Sequence, residues 1–219
     1  MTVQHEHEFE AAPGLPEKLP ANEHILWQGA PDWWQLAVHA LHVRKLAFYF
    51  AGMLAVQAAF LQADGQALVA SLALSAGLAS LALGLLALTA WFSASTTLYT
   101  LTNRRVVMRV GIVLTLTFNL PLRQIAGASF KAQGADCGDI ALALKGSDRI
   151  AWAHLWPHAR PWALRRPEPT LRCVPGAHAL GALIVRTWKE ANPGVNLATN
   201  AADTTSTPTS VAPHHPATV

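Results

Sequence analysis

Two long apolar runs dominate the pattern of this chain. Residues 46–63 and 67–92 contain no Asp, Glu, Lys or Arg, and Asp64-Gly65-Gln66 separates them. As a helix rising 1.5 Å per residue, the first run is roughly 27 Å long and the second roughly 39 Å. The second exceeds the ~30 Å hydrocarbon core of a bilayer and would cross it with tilt. Core helices of soluble proteins are seldom apolar all round over such lengths. The pattern predicts a transmembrane helical hairpin over residues 46–92, closed by a tight Asp-Gly turn.

Beyond Phe92 the period changes. Short alternating or β-branched stretches at 96–102, 106–110, 114–120, 126–133, 139–145, 149–155 and 170–174 read as seven strands. Asn103-Arg104, Gly111 and the Gly-Asp and Gly-Ser-Asp pairs punctuate several of them. Pro175-Gly176 opens a helix with Leu180, Leu183, Ile184, Thr187 and Trp188 on one face, and Asn192-Pro193-Gly194 stops it. Residues 192–219 are a Thr/Ser/Pro/Ala tail without a core-forming pattern and read as disordered.

Upstream of the hairpin, residues 1–22 read as a flexible arm with prolines at 13, 16 and 20. Residues 23–45 form a juxtamembrane segment. Within it Ile25-Leu26-Trp27 is a short apolar stretch ended by Gly29-Ala30-Pro31. Asp32 is placed to cap a helix over 33–42, whose face Trp33, Ala37, Ala40, Leu41 and Arg44 runs into the first span at about Val43. Trp33 and Trp34, with Arg44 and Lys45, suit a headgroup layer.

Inside the hairpin, Ala73, Gly77, Ser80, Gly84 and Ala87 recur at helical spacing, opposite a first-span series Ala47, Ala51, Ala55 and Ala58. Small residues let helices approach closely in lipid. The seams could pack the hairpin or serve a homodimer. Gln57 falls near the level of Ser71 and Ser75, within reach of a hydrogen bond that would spare a buried amide.

Charge adds an orientation. Residues 1–45 hold three Lys/Arg and six Asp/Glu, whereas residues 94–191 hold thirteen and five. Arg44 and Lys45 precede the first span, Arg104, Arg105 and Arg109 follow the second, and the turn between has no cation. The positive-inside bias then places both termini in the cytoplasm of a bacterial inner membrane. A basic domain following a span also suits anionic lipid or an acidic partner. The acidic, polar start is unlike a signal peptide. Cys137 and Cys173 form no C-x-x-C pair and give no sign of an oxidising compartment.

Candidate chemistry is sparse. His154 and His158 lie four apart among tryptophans, but Pro157 breaks the segment and no acid or cysteine is adjacent, so a metal site is not expected. No Ser/His/Asp ordering, phosphate loop or dinucleotide motif occurs, and the expectation is a protein that is not an enzyme. The stretch 156–166 concentrates Trp156, Arg160, Trp162, Arg165 and Arg166, residue types enriched where proteins meet partners.

The strand count and closing helix follow the order of a pleckstrin-homology-like barrel. Tyr99-Thr100-Leu101-Thr102-Asn103-Arg104-Arg105, then Gly111 and Pro121-Leu122-Arg123-Gln124-Ile125, resemble the opening of membrane-anchored bacterial PH domains. Glu23-His24-Ile25-Leu26-Trp27-Gln28-Gly29-Ala30-Pro31 is similar to the segment preceding their helices. Leu15-Pro16 and His42-Val43-Arg44-Lys45 resemble the branch that assembles photosynthetic complexes in purple phototrophic bacteria. The resemblance covers residues 14–191 and implies a membrane α + β chain, a two-helix transmembrane hairpin followed over 94–191 by a cytoplasmic PH-like seven-strand barrel with a C-terminal capping helix. It implies an assembly factor whose partners are reaction-centre and core antenna subunits or other assembly factors, and no nucleic acid. An envelope module that binds anionic lipid is the alternative. Arg104 and Arg105 sit where PH domains often hold phosphorylated headgroups, and two guanidiniums can grip phosphate bidentately. No cofactor is implied. His39 and His42 would be the groups to ligate bacteriochlorophyll, though interfacial histidines commonly only bond lipid or water.

Overall fold

The computed structural model describes residues 15, 18–63, 68–112, 114–134, 136–146, 150–161, 163–194 and 198–201. The expected Asp64-Gly65-Gln66 turn, Trp162, most of the N-terminal arm and residues 202–219 lie outside the described residues.

The apolar runs form two helices. Strand β1 (Ile25–Gly29) and helix α1 (Trp33–His39) precede α2 (Val43–Ala63) and α3 (Leu68–Thr96). Both long helices are long and apolar enough to cross a membrane, and neither span is buried within the chain. They pack on each other, and Gln57 Nε2 donates to Ser71 Oγ at 3.0 Å as the spacing predicts. The small-residue seam is placed otherwise. Ala73, Gly77, Ser80 and Gly84 are exposed, and a Cβ added at Gly77 or Gly84 would meet nothing within 4 Å. The half-buried face of α3 runs instead through Leu72, Ala76, Ala79, Leu83 and Leu86. Spacing alone gives several faces of an all-apolar helix equal claim, and the half-buried one mixes leucines with alanines.

Two residues beyond α3, β2 (Leu98–Thr102) begins an antiparallel sheet with β3 (Arg105–Val110) and β4 (Leu116–Pro121). The outer strand of this sheet is β1, which pairs with β2 from the far side of the helical hairpin. The expected seventh strand within 94–191 is therefore absent, and residues 149–155 differ from expectation. The described part of that stretch holds a single helical turn, α4 (Trp152–Leu155). Ile25–Gly29 joins the six strands found within 94–191, and the helical hairpin is an insertion between the first two strands. The register shift in β1 between Ile25 and Trp27 hid its alternation.

The second sheet has the order β7-β6-β5-β8, from β5 (Ile125–Ala132), β6 (Cys137–Leu144), β7 (Thr170–Pro175) and β8 (Ala198–Ala201). The two sheets share no strand pairing among the described residues, so the expected barrel is an open pair of sheets. The tail expected to be disordered supplies β8, which pairs parallel with β5. Backbone groups of an open edge accept such a segment without any side-chain pattern.

Helix α5 (Ala177–Ala191) closes the core as expected, burying Leu180, Ile184, Thr187 and Trp188. Their packing partners include Tyr99, Leu101, Met108, Leu122, Ile125, Ile140 and Leu142. Trp188 Nε1 donates to the Ile125 carbonyl at 3.1 Å, which satisfies its one donor inside an apolar core. From the arm, Leu15 is buried as well.

Candidate functional site

Asp32 caps α1 as expected, accepting from Gln35 N–H at 2.7 Å. Its own N–H donates to the Cys173 carbonyl at 2.9 Å, which hangs α1 from β7. The helix stops at His39, and His42 has φ +59° in the break before α2. Leu36 and Ala37 are buried, and Leu36 packs with Ala94 and Cys173, with Ala40 against them. Of the expected face, Ala37 and Ala40 thus turn inward while Trp33 stays at the edge, and the break at Ala40–His42 separates that face from Arg44. Trp33 and Trp34 remain about half exposed, as do Trp91 and Phe92 at the end of α3.

The junction of α3 with the sheets is built on a buried polar chain. His158, 1% exposed, has Nδ1 2.6 Å from the Tyr99 hydroxyl. Its Nε2 lies 3.1 Å from Thr97 Oγ1 and 3.2 Å from Ser93 Oγ. The Tyr99 oxygen accepts from the Arg172 N–H at 3.2 Å, so its single proton goes to Nδ1. The imidazole proton therefore sits on Nε2, and Thr97 is free to accept it because its own proton goes to the Ser93 carbonyl at 2.6 Å. Burial, with Arg172 nearby, pushes His158 down to about 3, so the ring is neutral. Burial likewise raises the Tyr99 hydroxyl far above its usual range.

The chain of contacts continues inward. Asp139 and Arg172, both nearly buried, pair at 3.1 Å through Oδ2 and Nε. That Nε is off the line of a hydrogen bond, so the attraction is one of charge. Asp139 also accepts from the Cys173 N–H at 2.8 Å and from Gln133 Nε2 at 2.9 Å. A buried carboxylate with a cation and two further donors is a satisfied structural group. Burial, then Asp139, raises the Cys173 thiol to about 12. Among the described residues no group of three His, Cys, Asp or Glu is placed to hold a metal. His154 is exposed on α4 while His158 is buried, so the pair does not converge. His39 is half-buried on α1, its pKa lowered by burial and partly restored by Asp139, and His42 is exposed in the break.

The two quoted sequence motifs meet in space. Arg105 grips Glu23 with Nε–Oε1 at 2.7 Å and Nη2–Oε2 at 3.1 Å. Thr102 Oγ1 lies 2.9 Å from Glu23 Oε1 and accepts the Arg104 and Arg105 N–H groups. Asn103 accepts from the His24 N–H at 3.2 Å and donates to the Asn22 carbonyl at 2.9 Å. A Cβ on Gly29 would come within 2.5 Å of the Trp27 ring, so that glycine is where the indole folds back. The motifs are thus a clamp that fastens β1 to the β2–β3 turn. Arg105 is occupied by Glu23, and Arg104 is exposed.

In the β1-β2-β3-β4 order, the β2–β3 turn lies at the opposite end of the sheet from the helical hairpin. Five residues of β2 put that turn up to about 17 Å from the end where α3 enters. At the hairpin end, His158 ties the segment after Trp156 to Ser93 and Thr97, and the Ala159–Pro169 bridge carries the loop onward to where Arg160 lies beside Ala126 to Ser129. Trp156 is 46% exposed, Arg165 and Arg166 are exposed, and Arg160 is paired with Glu168 at 2.8 Å. Arg44 and Lys45 are exposed on the first turn of α2. Sequence reasoning missed Glu23, Tyr99, His158, Asp139 and Arg172. A carboxylate opening one motif and an arginine closing another was the available signal for the first.

No solved structure matches the chain. An uncharacterized 23.7 kDa protein in the puhA 5′ region of Rhodobacter capsulatus is 36% identical over 184 residues, covering 82% of this chain and 86% of that protein. The model of the bacterial PH domain matches residues 49–187. With its open two-sheet core closed by a C-terminal helix, the chain belongs to the bacterial PH domain family.

Proposed function

We propose that this protein is a membrane-anchored assembly factor of the PuhB type for the photosynthetic reaction centre and core light-harvesting complex. The observation that carries the reading is the relative in the puhA 5′ region, which aligns over most of both chains. The architecture supports a scaffold. The helical hairpin is inserted between β1 and β2, so one end of the domain is held against the anchor. Trp156 is exposed near that end, and Arg165 and Arg166 are exposed farther along the same loop, open to subunits or to lipid. The polar groups of the core are consumed in structural pairs, which supports a binding role over catalysis. Both termini are cytoplasmic in this reading, and the hairpin sits in the inner membrane.

Deletion of the gene in its phototrophic host tests the proposal. Reaction-centre and core antenna levels fall if it is right, and plasmid-borne protein restores them. Unchanged levels would refute it. Crosslinking in native membranes then identifies the contacted subunit, and recovery of lipid adducts alone would favour the lipid-binding alternative.

A further inference from the structure

The β3–β4 link lies at the same end of the sheet as the helical hairpin. In an antiparallel order β1-β2-β3-β4, the first and third links share one end, and the first link here is the hairpin itself. The register agrees, with Leu98, two residues past α3, opposite Arg109, and Val110 opposite Leu116. Helix α3 also touches β3.

This link is apolar where loops are normally polar. Ile112, Leu114 and Leu116 are 42%, 79% and 37% exposed, and no Asp, Glu, Lys or Arg occurs from Val110 to Leu122. Gly111, at φ +132°, makes the tight turn that presents Leu114, and a Cβ there would collide with the Leu114 carbonyl. Trp33 and Trp34 follow β1, and Trp91 and Phe92 lie in the last turns of α3, all exposed, with Trp33 and Trp91 lining one shallow pocket. Aromatics of this kind mark the level of a membrane interface. Only Thr97 separates α3 from β2, so there is no spacer to lift the domain from the surface that α3 leaves.

We propose that the β3–β4 tip inserts Ile112, Leu114 and Leu116 into the boundary of the bilayer leaflet that α3 exits, making a third point of attachment. The occupant is lipid, because the tip is uncharged, lies at the end of the sheet that α3 enters, and shares that end with exposed aromatics. The inference rests on the hairpin being a membrane anchor. It places the domain in a fixed orientation, with Arg104 and the Glu23–Arg105 clamp facing away from the membrane.

The test uses the full chain with Cys137→Ser, Cys173 being buried, reconstituted into vesicles of phosphatidylcholine and phosphatidylglycerol at about three to one. A nitroxide is attached at Leu114→Cys, with Leu78→Cys on α3 as the lipid reference and Asn119→Cys on β4 as the water reference. Collision with oxygen and with a water-soluble nickel chelate is measured at each. Preferential oxygen collision at 114, approaching the ratio at 78 and several-fold above that at 119, is expected. A ratio at 114 equal to that at 119, with 78 still shielded, overturns the tip insertion and leaves the anchor standing; the tip would then be a surface for protein. Nickel access at 78 overturns the anchor and the inference with it.

Discussion

His158 should make the stability of the folded domain depend on pH. The neutral ring accepts from Tyr99 and donates to Thr97 inside a buried site. Its folded value of about 3 lies below the 6.5 of the exposed group. Lowering the pH from 6.5 therefore protonates the unfolded chain before the folded one. A group depressed on folding gives stability that is fully present above 6.5 and is lost as pH falls toward 3. Each pH unit in that window is worth about 1.4 kcal/mol, so the whole window is worth about 5 kcal/mol and the step to pH 5 about 2 kcal/mol. The comparison is His158→Gln, whose amide can accept from Tyr99 and donate to Thr97 but cannot titrate. Unfolding of the full chain in detergent by guanidinium, followed by tryptophan fluorescence, is measured at pH 7.5, 6 and 5. The native protein should lose about 2 kcal/mol more than the variant between the extremes. Other titrating groups, including His39, are common to both and cancel. Parallel stability curves, within about 0.5 kcal/mol, would show that the ring is not held neutral by burial and that the assigned proton positions are wrong.

Three further outcomes follow from the packing. Glu23→Ala leaves Arg105 and Thr102 without their partner and should cost about 2–4 kcal/mol, the low end because Arg105 is partly exposed; a shift in unfolding midpoint below about 0.5 kcal/mol would remove the clamp from the account. Gly77→Leu and Gly84→Leu should leave the hairpin fold intact, with any change within about 1 kcal/mol, since their Cβ positions face open space; loss of a crosslinked dimer without loss of fold would identify that face as a helix-pairing surface, and loss of fold would contradict the hairpin packing. A maleimide at pH 8 should modify Cys137 and spare Cys173, whose buried thiol is raised to about 12, until the domain is unfolded; equal labelling by mass spectrometry would contradict that burial.

Much of the fold was legible because its signals are local. Apolar length marks α2 and α3, alternation marks β2 to β4, and a 3.6-residue period marks α5. Asp32 and the Gln57–Ser71 bond were predictable from spacing, since one turn of helix or one level of a hairpin fixes the partner. Non-local facts were not legible. β1 looks like a short apolar stretch, and only pairing with β2 across the inserted hairpin makes it a strand. β8 carries no pattern, and an open β5 edge decides it. The stretch 149–155 has strand-like composition, yet the loop that delivers His158 to Ser93 and Thr97 takes it into a helical turn.

The sequence by itself determined that two apolar helices precede a β-rich basic domain, because hydrophobic length and periodicity are properties of the chain alone. Only the tertiary structure decided which residues meet. It joined Glu23 to Arg105 and His158 to Tyr99, and it turned the small-residue seam outward. It also put Arg104 at the end of the sheet away from the helical hairpin, and fastened the segment after Trp156 to the hairpin end through His158. The physical reason is that a contact between residues 59 or 82 positions apart depends on strand order and register, which no local pattern encodes.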